Sequence, residues 1–145
     1  MAGAALARRL CASARASSSP RKTIHLVRHG RTEMNEYLAK VRWDSPDFSD
    51  PGLWDTRLTP RGEAMAEALS ARTASIAPQP QLLVASPLTR ALRTAELAFP
   101  HYEGARLVTP LAAERVYHAS DVGRCRSVLE REHPGWDFGA LTVGE

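Results

Sequence analysis

Three things are scarce in this chain of 145 residues: cysteine, long apolar runs and, near the N-terminus, acidic residues. Two cysteines, Cys11 and Cys125, provide neither a disulfide framework nor the spacing of a metal site. No run approaches the roughly 18 consecutive apolar residues of a membrane-spanning helix, so we expect no membrane partner. The hydrophobic share of 43% and the charged share of 24% are ordinary for one globular domain.

Residues 1–22 contain no acid, although they hold five of the 19 basic residues. They are rich in Ala, Arg and Ser and lack a continuous apolar core, which is typical of an organellar transit peptide. We therefore predict a leader over 1–22, directed to a mitochondrion or chloroplast, and one domain over 23–145. The alternative is a flexible tail without an address, which leaves the protein in the cytoplasm.

The chain after the leader is slightly acidic, because it holds all 16 acidic residues and only 14 of the basic ones. A nucleic-acid partner requires a basic face on the folded part of the chain. We therefore expect no nucleic-acid partner.

The stretch KTIHLVRHGR at 22–31 carries the strongest chemical signal. Its apolar, partly β-branched run over 23–27 predicts a buried strand, and Gly30 allows the chain to turn at its end. Ligands of open α/β sheets bind beyond the carboxyl ends of strands, so Arg28 and His29 are expected in that crevice. Imidazole can attack phosphorus and guanidinium matches phosphate oxygens, which favours phosphate chemistry. Without its strand, the same triplet is an ordinary polar segment.

Two later junctions between a strand and the following segment repeat this arrangement. A strand over 82–85 precedes a helix that begins at Pro87, and Arg90 lies in the first turn of that helix. A strand over 106–109 precedes the loop that carries Glu114. A protonated Glu114 can supply a proton to a leaving oxygen, whereas either residue taken alone is an ordinary surface charge.

Threonine caps predict two helices that surround a polar segment. Thr32 can cap a helix over 33–38, which turns Asn35 toward the expected crevice, and Thr59 can cap the next helix. The intervening segment 44–57 is rich in Asp, Ser, Pro and Gly and is predicted to be a surface loop. The aromatic residues within this segment and directly before it either fix the loop to the core or stack on a bulky substrate. These aromatic residues are Trp43, Phe48 and Trp54.

The remaining histidines do not predict a metal site. His118 and His133 are expected on the surface or in loops. His133 follows the last predicted helix, which ends before Pro134. His25 lies four residues before His29, which is about 13 Å along a strand and too far for joint metal ligation.

Four blocks in this order resemble the histidine phosphatase superfamily, the phosphoglycerate mutase-like proteins. They are LVRHGRTEMN at 26–35, LTPRGEAMAEAL at 58–69, ASPLTRALRTAELA at 85–98 and the later Glu114. Three further features are similar to the plant and algal phosphoglycerate mutase-like branch, and the similarity covers roughly 22–141. These features are KTIHLVRHG, the insert with Pro, Phe and Asp, and ASDVGRCRSVLEREHPGWDFGAL.

The resemblance implies a three-layer α/β/α fold with a mostly parallel sheet. It also implies a phosphatase that works through phosphohistidine, without metal or other cofactor, on a phosphorylated small molecule or a phosphoprotein. The alternative is phosphoglycerate mutase-type transfer. By position it implies His29 as nucleophile, Glu114 as proton donor, and Arg28, Arg90, Asn35 and Gly30 as the phosphate and substrate pocket.

One feature of the family is missing, namely a second pocket histidine that follows a late apolar strand in a His-Gly context. Only 31 residues follow Glu114, and neither His118 nor His133 follows such a strand. We therefore expect a sheet that is incomplete at the C-terminus of a truncated sequence. A catalytically weak or inactive phosphate-binding protein is the alternative that this absence leaves open.

Overall fold

A computed structural model describes residues 21–142, so the predicted leader lies outside the described residues except for its last two positions. In chain order the longer elements are α1 (Glu33–Leu38), α2 (Pro60–Glu67), α3 (Ser70–Ala74), β1 (Leu82–Ala85), α4 (Thr89–Ala98), β2 (Ala105–Val108) and α5 (Arg126–Glu132). Short 3-10 turns lie at Pro110–Ala112 and Ala119–Asp121. None of the helices in this part of the chain is long and apolar enough to cross a membrane.

The sheet is parallel, as the sequence predicts. Strands β1 and β2 pair in a register that begins with Leu82 opposite Ala105, and α4 connects them as the crossover helix. Beyond β2, Asp137 extends the ladder: its N–H donates to the Arg106 carbonyl at 2.8 Å, and its carbonyl accepts from the Val108 N–H at 2.8 Å. The predicted α/β class with a parallel sheet is therefore confirmed.

The core lies on one face of this sheet. Helix α4 and Leu129 of α5 pack there, and burial of each leucine such as Leu92 contributes roughly 1.5–3 kcal/mol. On the opposite face of β1, Leu82 and Val84 are exposed among the described residues. The buried core consists of Leu83, Ala85, Leu92, Ala98, Phe99, Val108, Leu129, Trp136 and Phe138.

The prediction of a strand over 23–27 is wrong, because residues 21–31 have no regular secondary structure. Ile24 is 80% exposed and Leu26 is 93% exposed. Strand formation requires a partner with free backbone groups, and β1 pairs only with β2 in the described part of the chain. An apolar, β-branched composition therefore did not suffice to make this segment a strand.

The two predicted threonine caps are confirmed. The Asn35 N–H donates to Thr32 Oγ1 at 3.1 Å, and the Thr32 N–H donates to Asn35 Oδ1 at 3.1 Å, which closes a capping box at α1. At α2 the Gly62 N–H donates to Thr59 Oγ1 at 3.1 Å, and Pro60 occupies the first helical position.

Helix α4 begins at Thr89 and not at the predicted Pro87. Its N-cap residue, Leu88, has an extended backbone and offers no side-chain cap. The capping carboxylate comes from Asp55, which lies in a distant part of the sequence. The start of α4 is thus set by a tertiary contact.

Candidate functional site

A cavity of about 640 Å³ lies beside α1 and the first turn of α4. This volume is typical of ligand pockets in proteins. Five of the six residues predicted for the site line it, and the sixth, Gly30, lies directly behind His29 in the chain. The five lining residues are Arg28, His29, Asn35, Arg90 and Glu114.

The backbone of Gly30 sets the tautomer of His29. The Nδ1 atom of His29 lies 2.7 Å from the Gly30 carbonyl oxygen. A carbonyl only accepts, so Nδ1 carries the hydrogen and Nε2 keeps its lone pair. Burial lowers the pKa of His29 below the ordinary value of 6.5, and the charges of Arg90 and Arg28 lower it further, against opposing effects of the Gly30 carbonyl and Glu114. The imidazole is therefore held in the neutral form that a nucleophile needs.

Gly30 is held by the helices around it. Its N–H donates to Thr94 Oγ1 of α4 at 3.1 Å. Its α-carbon also lies so close to the backbone of Gly62 in α2 that any added Cβ would overlap the Gly62 carbonyl. A glycine is thus required here for close packing, and this contact replaces the strand that the sequence predicted as the support of His29.

Arg90 is 4% exposed and lies in the first turn of α4. Its Nη1 donates to the Ser120 carbonyl at 2.6 Å, and its Nη2 donates to Glu114 Oε2 at 3.1 Å and to Asp121 Oδ1 at 3.0 Å. These bonds use three of the five guanidinium N–H groups. Its Nε–H and one N–H on Nη1 make no bond with residues 21–142 and can bind a phosphate oxygen.

Arg28 and Asn35, the two other predicted side chains of the binding pocket, differ in whether they already contact other residues. Arg28 is exposed at the cavity and has no ion-pair partner among the described residues. Asn35 uses its side-chain oxygen in the cap of α1, which leaves its amide N–H groups for a ligand. The proposed proton donor, Glu114, is exposed and bonded to Arg90.

Sequence reasoning missed Asp55, a buried carboxylate at the N-terminus of α4. Its Oδ1 accepts from the Thr89 N–H at 2.9 Å, its Oδ2 accepts from the Thr89 hydroxyl, and Arg124 Nε lies 3.3 Å from Oδ2. Asp55 has a positive φ of 42°, in the left-handed region that residues other than glycine rarely adopt. Because Asp55 lies 34 positions before Thr89 in the sequence, no local sequence pattern indicates this cap. Asp55 therefore fixes the turn that carries Arg90.

The segment after Glu114 was also missed as a cavity wall. Tyr117, His118 and Asp121 all line the cavity. His118 was expected only in a loop or on the surface. Its position in the cavity wall was not predicted, because no periodic or capping pattern in the sequence indicates it. Trp43 lines the same cavity, whereas the equally exposed Trp54 does not.

The insert 44–57 is fastened to this wall. The ring of Phe48 lies 6.2 Å from that of Tyr37 and 5.3 Å from that of His118, measured between centroids. Asp50 Oδ2 accepts from the Ala119 N–H at 2.8 Å. Phe48 therefore fixes the loop, which is one of the two roles predicted for the aromatic residues of this region.

His133 lies in a loop directly after α5, which is one of its two predicted positions, but it is buried and not on the surface. Its Nδ1 lies 2.7 Å from Glu96 Oε1, and Trp136 Nε1 donates to the same oxygen at 3.3 Å. Directly after α5 the chain turns into the core, which buries the imidazole away from the cavity. Within residues 21–142 no group of three His, Cys, Asp or Glu side chains could hold a metal ion.

Comparison with known proteins agrees with this architecture. A protein of Schizosaccharomyces pombe described as a probable phosphatase is 30% identical over an alignment of 132 residues, and the alignment covers 86% of this chain and 56% of the yeast protein. A solved structure from Escherichia coli K-12, of a candidate alpha-ribazole-5'-P phosphatase, is 22% identical and has a TM-score of 0.50 over 73% of this chain and 48% of its own. The chain thus spans about half the length of these two relatives.

The chain also matches a protein family. Residues 24–119 match the family described as histidine phosphatase superfamily (branch 1). This range includes every residue predicted for the site and most of the cavity wall. The chain therefore belongs to the histidine phosphatase superfamily.

Proposed function

We propose that the protein is a phosphoric monoester hydrolase that forms a phosphohistidine on His29. The observation that carries the proposal is the bond from Nδ1 to the Gly30 carbonyl in a cavity that Arg28 and Arg90 also line. This bond leaves Nε2 as the nucleophilic atom, next to two guanidinium groups that bind phosphate. Membership of the superfamily and the phosphatase descriptions of the two relatives support the same activity.

In the first step the phosphoryl group passes from substrate to His29. Nε2 forms a bond to phosphorus while the bond from phosphorus to the ester oxygen breaks, and Arg28 and Arg90 stabilise the charge on the phosphoryl oxygens. Protonated Glu114 gives its proton to the departing oxygen, so the alcohol leaves neutral. Glu114 then remains as a carboxylate beside Arg90.

In the second step water regenerates the enzyme. The water oxygen bonds to phosphorus, the bond from Nε2 to phosphorus breaks, and the water proton returns to Glu114. Orthophosphate leaves and His29 is neutral again. Each proton and phosphoryl group is accounted for by His29, Glu114 and water.

Mutase chemistry is the second candidate, because a substrate hydroxyl could replace water as acceptor. A mutase must also hold a substrate with a second phosphorylated position. The cavity lining contains two arginines, Arg28 and Arg90, and two carboxylates, Glu114 and Asp121. Both carboxylates contact Arg90, whereas Arg28 has no carboxylate partner among the described residues. We expect this lining to hold one phosphate group, so we favour hydrolysis. A phosphate-binding protein without turnover is the third candidate.

Hydrolysis of p-nitrophenyl phosphate by the whole chain tests the proposal. Removal of a nucleophile abolishes its covalent route, so we expect His29→Ala to lose at least about a thousandfold in kcat. His25→Ala is the matched control, since His25 lies on the same exposed segment but does not line the cavity. We expect this control to keep wild-type activity.

Two results would contradict this proposal. Equal activity of His29→Ala and wild type would exclude His29 as the nucleophile. Binding of inorganic phosphate by a wild type that hydrolyses no ester would favour the phosphate-binding protein.

We also propose, on the sequence resemblance, that the protein belongs to the plant and algal branch and that residues 1–22 direct it to an organelle. The Ala-, Arg- and Ser-rich composition of this leader supports import into a mitochondrion or chloroplast. A fluorescent protein fused behind residues 1–22 should enter one of these organelles. Diffuse cytoplasmic fluorescence would support the tail without an address.

A further inference from the structure

The cavity has an apolar part beside its phosphate-binding residues. Met34 and Leu38 lie one turn apart on α1, so one face of this helix contributes both side chains to the lining. Trp43 and Tyr117 line the same cavity from two other segments of the chain. The space next to the reacting phosphate is therefore bordered by aliphatic and aromatic carbon.

Both aromatic side chains are open to a ligand. Trp43 and Tyr117 are each 70% exposed, although large aromatic side chains usually bury most of their surface. The insert 44–57 is fixed to the segment of Tyr117 through the contact of Phe48 with His118. Trp43 directly precedes this insert, so both exposed rings lie next to segments that contact each other, on the wall of the cavity that contains the proposed nucleophile.

The charges of the lining limit what else a substrate can carry. Glu114 and Asp121 both contact Arg90, so Arg28 is the one lining arginine without a carboxylate partner in the described part of the chain. One phosphate dianion uses the free donors of Arg90 and the charge of Arg28. A second anionic group would meet Asp121, which repels it.

We propose that the preferred substrates are monophosphate esters whose alcohol part carries an uncharged aromatic ring, which stacks on Trp43 and Tyr117. This inference rests on the proposed hydrolysis of phosphate esters at His29. Stacking of a ring on an exposed aromatic side chain suits the site because it needs no hydrogen-bond partner on the ligand. The aliphatic face of α1 covers the rest of the ring.

Three primary alkyl phosphates separate ring recognition from reactivity, since their leaving alcohols are alike. They are 2-phenylethyl phosphate, butyl phosphate and 4-(phosphonooxy)butanoate. We expect kcat/KM for the phenylethyl ester to exceed that for the butyl ester by about tenfold, as removal of a stacking partner typically costs. We expect the ester with the added carboxylate to be poorer than butyl phosphate.

Variants of the two exposed tryptophans locate the preference. Trp43→Ala should lower the phenylethyl-to-butyl ratio of kcat/KM about tenfold, and Trp43→Phe should restore most of it because an aromatic face returns. Trp54→Ala is the matched control: Trp54 is 67% exposed but lies outside the cavity lining. We expect the control to keep the wild-type ratio.

The outcomes distinguish this inference from the proposal on which it rests. A wild type that hydrolyses neither these esters nor p-nitrophenyl phosphate overturns the proposed function itself. Hydrolysis of p-nitrophenyl phosphate but of none of the three esters overturns the substrate class alone. Hydrolysis with a ratio near one, or a ratio that Trp43→Ala leaves unchanged, overturns the substrate class alone.

Discussion

His29 can attack phosphorus only while its imidazole is neutral. Burial lowers its pKa, and the positive charges of Arg90 and Arg28 act in the same direction. The nucleophile is therefore available at a pH where an ordinary histidine is already partly protonated. In the proposed reaction the same arginines bind the phosphate, so one pair of side chains would serve both substrate binding and the protonation state of His29.

This arrangement predicts how the rate depends on pH. The acid limb of kcat/KM should have its midpoint below 6.5, the ordinary pKa of histidine. Arg28→Gln removes a charge that disfavours imidazolium, so the pKa of His29 rises and the acid limb moves to higher pH. The same variant should lose about tenfold in kcat/KM at the optimum, because a charged contact to phosphate is lost.

The control for this prediction is Arg131→Gln. Arg131 is exposed on α5 and does not line the cavity. Its profile should match that of the wild type. A movement of the acid limb to lower pH in Arg28→Gln would contradict the assignment of this limb to His29.

Helix α4 is the element on which the site depends most, since it carries Arg90 and holds Gly30 through Thr94. Asp55 caps this helix and is paired with Arg124. A carboxylate at a helix N-terminus satisfies free N–H groups and interacts well with the helix dipole. The geometry of the proposed phosphate site therefore depends on Asp55, a side chain outside the cavity lining.

Asp55→Asn should destabilise the protein by about 1–2 kcal/mol, since the cap loses its charge and Arg124 loses its buried partner. Thermal unfolding should show a Tm lower by roughly 5 °C. The value of kcat/KM should fall as well, because Arg90 is no longer held in place. Asp44→Asn is the matched control, as Asp44 lies in the same insert in an exposed pair with Arg42.

The free energy of unfolding of Asp44→Asn should lie within about 0.5 kcal/mol of that of the wild type. A wild-type Tm for Asp55→Asn would mean that Asp55 does not determine the start of α4. Loss of activity without loss of stability would show that the residue acts on the position of Arg90 alone.

The elements that sequence predicted well are those whose signals are local. Thr32 is three residues from Asn35, and Thr59 is three residues from Gly62. Both partners of each cap therefore lie within one turn of helix, where a local sequence pattern indicates them. The start of α4 was misplaced because its cap comes from Asp55. The segment 23–27 was misassigned because a strand is defined by its partner, which the segment itself does not contain.

At the scale of the whole molecule, the site is an assembly of distant segments. His29, Arg90 and Glu114 come from three parts of the chain that the βαβ unit and the contact of Gly30 with Gly62 bring together. Sequence predicted these residues because motifs mark them individually. It did not predict Tyr117, His118 or Asp121 as cavity residues, because only the folded chain places them there.

A rapid-quench experiment shows whether the phosphoryl group passes through His29, as proposed. Wild type, His25→Ala and His29→Ala are mixed with p-nitrophenyl phosphate, quenched in alkali and digested for peptide mass mapping. We predict an acid-labile phosphoryl group on the peptide that contains His29 in wild type and in His25→Ala, and none in His29→Ala. Turnover with the phosphoryl group on another residue, or undiminished labelling of His29→Ala, would contradict this prediction.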